Sequence, residues 1–253
     1  MTPPAPPPQG RITRLYVLDF GLFDVGPGLR TIGIPGFLLE TNQGARILFD
    51  TGFPPDYATA PGPTAARDNL ARFGAFIGFS ARQTAAGQLA LLGLTPANIT
   101  HVVLSHGHID HVGSLPLFAH CSIYMTRTER SDPKPCYFFD VRPMDWPPAR
   151  YHLIDGPSEI CPGLTLIPTP GHTAGHLSAL VTLPSGQSLL LAADAINRAS
   201  EPDEGFPDAK DPVAAARSAK ALFALQAAQG ATLIYGHDPA QWRGLRKAPA
   251  FYS

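Results

Sequence analysis

The sequence predicts an α/β fold of two sheets with helices outside. Three observations predict it: hairpin-joined strands come early, strands and helices mix later, and the chemistry-bearing side chains fall at strand ends. With 253 residues and a 44% apolar share, the chain has enough material for one sizeable core.

Residues 11–20 alternate and carry enough β-branched side chains for a strand. Two more follow at 33–40 and 45–50, with Thr41-Asn42-Gln43-Gly44 as the turn between them. The second runs straight into Asp50-Thr51-Gly52. Residues 53–66, rich in Pro, Gly and Ala, read as a loop, and 81–92 as a helix closed by Gly93. A short apolar run, HVVLS at 101–105, reads as a buried strand. Further strands are expected at 122–126, 165–168, 178–183 and 188–192, the last two joined through Pro184-Ser185-Gly186. The clearest helix is 212–229, with Asp211 before Pro212 at its start and Gly230 at its end. A last strand, 231–235, leads into Gly236-His237-Asp238. No repeat and no linker interrupts this, so residues 11–253 are expected to form one domain. Residues 1–10, half of them proline, are expected as an extended, poorly ordered tail.

Composition narrows the function. A net charge of -1 with scattered Lys and Arg offers nothing to a phosphate backbone, so no nucleic-acid partner is expected. No apolar run reaches the roughly 18 residues of a membrane helix, and the first residues lack the charge and apolar pattern of a secretory signal. Cys121, Cys136 and Cys161 are odd in number and form no C-x-x-C pair, which points to a reducing cytoplasm.

The segment 105–113 reads S-H-G-H-I-D-H-V-G and follows a strand directly. His106 and His108 can enter one site when the loop turns; Asp110 and His111 then face a second. Imidazole nitrogen and carboxylate oxygen suit zinc, cobalt, iron or manganese in a hydrolytic site. Three more candidates lie at strand ends: His172 in a glycine-bearing turn, His237 after a glycine, and Asp194 closing LLLAAD. A lone carboxylate at the end of such an apolar run is costly unless something cationic meets it. Two sites result, His106, His108 and His172 forming one and Asp110, His111 and His237 the other, with Asp194 shared. His101, His120 and His152 carry no such pattern, and His176 reads as a residue packed behind the ligands.

The pattern H-x-H-x-D-H, then G-H, then Asp, then G-H resembles the metallo-β-lactamase superfamily. That resemblance runs from about Ile12 to the C-terminus and implies a four-layer αββα sandwich with a dinuclear site at one edge. It also implies that Asp50-Thr51-Gly52 supports the site. Within the superfamily the chain is most similar to the N-acyl homoserine lactonases, which degrade quorum-sensing signals. The features shared with them are Leu38-Leu39-Glu40-Thr41 leading to Asp50, the turn Pro170-Gly171-His172-Thr173-Ala174-Gly175-His176, and a short tail after Asp238. His108 stands where the flavodiiron branch has Glu, which favours hydrolysis over redox chemistry. Two positions depart from the lactonase pattern: Ile109 replaces an aromatic residue, and Asn197 replaces a Tyr that contacts the lactone carbonyl. The segment 126–150 also matches poorly. A homodimer is the assembly this resemblance implies.

The expected function is therefore metal-dependent opening of an N-acyl homoserine lactone or related lactone, with two divalent ions, zinc first among the candidates. Hydroxide formed between the ions is the expected nucleophile. Asp110 is placed to carry its proton to the leaving alkoxide, and Asn197 to donate to the carbonyl. Phe23, Phe53 and the 64–80 stretch are candidates for an acyl-chain surface. Another ester, a glyoxalase II-like thioester, a phosphotriester or a β-lactam on the same metals remains an alternative, as does a catalytically idle metal-binding protein.

Overall fold

The computed structural model describes residues 6–26 and 30–253. A first sheet contains β1 (Ile12–Val25), β2 (Arg30–Thr41), β3 (Arg46–Phe49), β4 (Gly74–Phe76), β5 (His101–Val103), β6 (Ser122–Thr126) and β7 (Arg150–Ile154), in the order β4-β1-β2-β3-β5-β6-β7. The second contains β8 (Ser158–Cys161), β9 (Leu164–Pro168), β10 (Leu177–Thr182), β11 (Ser188–Ala193) and β12 (Thr232–Tyr235), in the order β12-β11-β10-β9-β8. The described helices are α1 (Pro61–Arg67), α2 (Ala85–Ala90), α3 (Ile109–Val112), α4 (Arg127–Arg130), α5 (Glu201–Glu204), α6 (Pro212–Gln229) and α7 (Pro239–Gly244).

The two-residue period of a strand explains the layering. Ile47 and Phe49 of β3 point between the sheets, while Leu48 points to the outer face under α2 and α3. Leu189, Leu191 and Ala193 of β11 meet them in the middle layer; Leu190 and Ala192 face Ala215, Ala219 and Leu222 of α6. Three apolar layers thus alternate with two sheets and two helix layers, an αββα sandwich. Strands buried on both faces read as unbroken apolar runs, which is why LLLAA carries no polar alternation.

The 41–44 turn forms as expected, with Gly44 N–H donating to Thr41 O at 3.2 Å. Helix α6 keeps the expected bounds, its start capped by the Asp211 carboxylate accepting from Ala214 N–H. Elsewhere the outcome differs. The helix expected over 81–92 is broken at Thr84, which is extended and caps α2 through Oγ1 accepting from Gly87 N–H. A 3₁₀ turn, Ala81–Gln83, precedes it, closed by a Ser80/Gln83 capping box. The 53–66 segment contains a 3₁₀ turn, Pro55–Ala58, and most of α1, both started by proline. β4, β7 and β8 lie where no strand was expected. Of the expected 1–10 tail, residues 1–5 lie outside the described residues. Beyond them, Pro8 is buried and Gln9 O accepts from Thr41 Oγ1 at 2.6 Å.

Candidate metal centre

β3 and β5 run parallel, as do β11 and β12, so each pair sends its following loops to one edge. All seven expected side chains meet there. Ligand atoms of His106, His108, His172 and Asp194 lie within 4.8 Å of one another, and those of Asp110, His111 and His237 form a second such group. Asp194 reaches both: Oδ2 is 3.2 Å from His172 Nε2 and 3.2 Å from His237 Nε2, and Oδ1 is 3.2 Å from His111 Nε2. Asp110 Oδ2 lies 3.3 Å from His237 Nε2.

Hydrogen bonds behind the rings fix their orientation. Asp50 Oδ2 accepts from His111 Nδ1 at 2.8 Å, and Gly33 O from His237 Nδ1 at 3.0 Å, so both Nε2 atoms turn inward. Asp50 also accepts from Ser105 N–H and Oγ, each at 2.8 Å. His176 holds Asp194 from behind, its Nε2 accepting from Asp194 N–H at 3.0 Å while its Nδ1 faces Thr169 Oγ1. Two non-glycine residues beside the site, Asp50 (φ 62°) and Ala193 (φ 46°), occupy the left-handed region, a backbone cost typical of functional loops.

The donor set fits divalent cations. His106 Nε2, His111 Nε2 and Asp194 Oδ1 are buried without any hydrogen-bond partner, an expensive state that cations at this point remove. Burial pushes His106 and His172 well below the ordinary histidine value and His108 to about 4, leaving these rings neutral and able to coordinate. For Asp194, burial acts upward, but His237, His111 and His172 outweigh it and hold the carboxyl well below its usual range. Burial opposes charge on His111 too, yet Asp110, Asp194 and Asp50 together hold it well above the ordinary value. The local excess is negative, as a cation site requires.

Outside the two groups, His101 contacts Thr100 Oγ1, His120 the Ile99 carbonyl, and His152 stacks on Tyr124. Asn197 is buried beside His237, its O accepting from His237 N–H at 2.8 Å and its Nδ2 donating to Glu201 Oε1 at 3.1 Å. Phe23 and Phe53 stack on each other at 5.3 Å and are closed within a ring cluster with Phe73, Phe76 and Tyr57. They are core. Ser105, Glu129 and the Gly33 carbonyl all touch the site loops without having stood out in the sequence.

The sequence profile described as the metallo-beta-lactamase superfamily matches residues 34–237. The chain belongs to the metallo-β-lactamase superfamily. Among superfamily relatives, it is 33% identical over 181 residues to the N-acyl homoserine lactonase AttM of Rhizobium johnstonii, covering 66% of this chain and 68% of that one. Against an N-acyl homoserine lactonase of Bacillus thuringiensis the identity is 29% over 230 residues, 85% of each chain. The superfamily fold is shared with a solved N-acyl homoserine lactone hydrolase carrying N-hexanoyl-L-homoserine at its catalytic metal center. That match has a TM-score of 0.82 at 24% identity and covers 96% of this chain and 100% of the other.

Proposed function

We propose that this superfamily member is a dinuclear metal-dependent hydrolase that opens the lactone ring of N-acyl homoserine lactones. The observation that carries the reading is the meeting of two histidine-rich groups at Asp194, in a chain 33% identical over 181 residues to a lactonase. His106, His108 and His172 would hold one ion, Asp110, His111 and His237 the other, with Asp194 shared. Zinc is the ion we favour, since nitrogen-rich sets with carboxylate oxygen suit it. Bound there, two cations supply an acidified water and a Lewis acid for the lactone carbonyl.

The remaining work belongs to side chains. Water oxygen bonds to the carbonyl carbon, the ring C–O bond breaks, and one proton passes to the departing alkoxide. Asp110 is the group for that transfer: its carboxylate stands in the second group of ligands, Oδ2 3.3 Å from His237 Nε2, where the proton must pass. Asn197 is assigned to the lactone carbonyl through the Nδ2 hydrogen not given to Glu201. The acid product releases a proton to solvent at neutral pH.

We further infer one hydrolase domain over residues 11–253 and residence in the cytoplasm. The three free cysteines favour a reducing compartment, and no described helix is long and apolar enough to cross a membrane. A His106→Ala protein, assayed against a lactone, a thioester, a phosphotriester and a β-lactam, tests the function. Lactone hydrolysis by the parent that disappears together with bound metal in the variant is expected. Full activity in a metal-free variant, or preference for another substrate, overturns it.

A further inference from the structure

Glu129 stands 18 positions beyond His111 and outside both histidine groups, yet its carboxylate touches two of the loops that carry them. Oε1 accepts from Gly107 N–H at 2.9 Å, the peptide between His106 and His108. Oε2 accepts from Thr173 Oγ1 at 2.7 Å and Gly175 N–H at 3.2 Å, in the turn that begins with His172. The carboxylate thus accepts two backbone N–H groups and one hydroxyl, all from those two loops. Its own position leaves little slack. Thr126 caps α4 by accepting from Glu129 N–H at 3.1 Å and donates to Gly175 O. The Gly175 backbone is pressed against the same helix end: a Cβ there would stand 2.2 Å from Glu129 N.

His106, His108 and His172 are the three imidazoles of one group, drawn from two loops 64 residues apart. In the other group His111 Nδ1 donates to Asp50 Oδ2 and His237 Nδ1 to the Gly33 carbonyl, while Ser105 Oγ faces His106 Nδ1 at 3.0 Å. We propose that Glu129 is a positioning residue for the His106–His108–His172 site, clamping its two loops in register and leaving the second site alone. This rests on the metal-centre reading above. Glutamine in its place keeps the shape but turns an NH₂ toward one of the loops, where it meets an N–H donor. One loop is then released, and the ion shared between them binds more weakly.

The test is titration of chelator-stripped protein with Co²⁺, read by visible absorption and by metal counted per chain. Wild type is expected to take two equivalents. Glu129→Gln should keep one at wild-type affinity and weaken the other by about tenfold or more. The loss should appear in full in a His237→Ala background and vanish in a His172→Ala background, a split that general destabilisation does not produce. Thr173→Val, which removes one hydrogen bond, should weaken the same equivalent by less and serves if Glu129→Gln does not fold. Two wild-type-like equivalents in the variant, or equal weakening of both, overturn the proposal. Wild type that binds no Co²⁺ overturns the metal-centre reading itself, and this inference with it.

Discussion

The Asp50 carboxylate accepts from His111 Nδ1, Ser105 N–H and Ser105 Oγ, so three donors converge on one side chain behind the site. In Asp50→Asn an NH₂ must face one of those donors, and His111 loses its fixed tautomer. Metal affinity should fall about 10- to 100-fold, measured by competition with a chromophoric chelator, while the thermal midpoint of the metal-free protein changes little by comparison. Unchanged affinity would separate Asp50 from the metals. Asn197 makes a second case. Asn197→Ala leaves Glu201 Oε1 without its side-chain donor, at a cost of about 1–3 kcal/mol in urea unfolding. KM for the lactone should rise with metal content intact; an unchanged KM would remove the carbonyl contact from the account. The seven clustered residues were legible because costly side-chain types recur at strand ends, where only a shared cation makes sense of them. Glu129 was not, since its partners Gly107 and Gly175 stand 22 and 46 positions away and nothing local marks the contact. The aromatic residues misled for the opposite reason: Phe23 and Phe53 are as apolar as any acyl-chain wall, and they line no opening because they cover each other.

Helix α6 connects the outer layer to the site. Ser218 Oγ donates to Pro170 O at 2.7 Å, and Asp211 N–H to Gly171 O at 2.9 Å, so the start of α6 holds the turn that presents His172. Asp211→Ala removes the acceptor that caps the helix and should cost about 1 kcal/mol of stability by urea denaturation. A change within error would mean that packing of Ala215, Ala219 and Leu222 alone fixes the helix end. Elements with strong local signals were readable: α6 with its caps, the 41–44 turn, and the apolar runs of β5 and β11 buried on both faces. The missed ones lacked such a signal. β4 has three residues, and β7 and β8 are only partly buried, with no clean alternation. The stretch 81–92 had helical composition throughout, but Thr84 competes for Gly87 N–H and ends the continuity.

Across the whole molecule, the centre joins the two sheets. His106, His108, Asp110 and His111 follow β5 of the first, while His172, Asp194 and His237 follow β9, β11 and β12 of the second. Ions held at that seam stabilise the sandwich by mass action, about 2.7 kcal/mol for one site at a free concentration 100 times its dissociation constant. Chelation should therefore lower the thermal midpoint by several degrees, and readdition should restore it; a midpoint indifferent to metal would mean the seam holds without ions. Ion removal leaves the buried Nε2 lone pair of the neutral His106 ring unsatisfied, a physical source of that loss. The most direct measurement is acid release in weak buffer from N-hexanoyl homoserine lactone, as chelator-stripped protein is titrated with Zn²⁺. No turnover is expected without metal, and a rise that saturates at two equivalents per chain. Turnover that survives complete removal of metal, or none from protein confirmed to hold two ions, would contradict the lactonase reading.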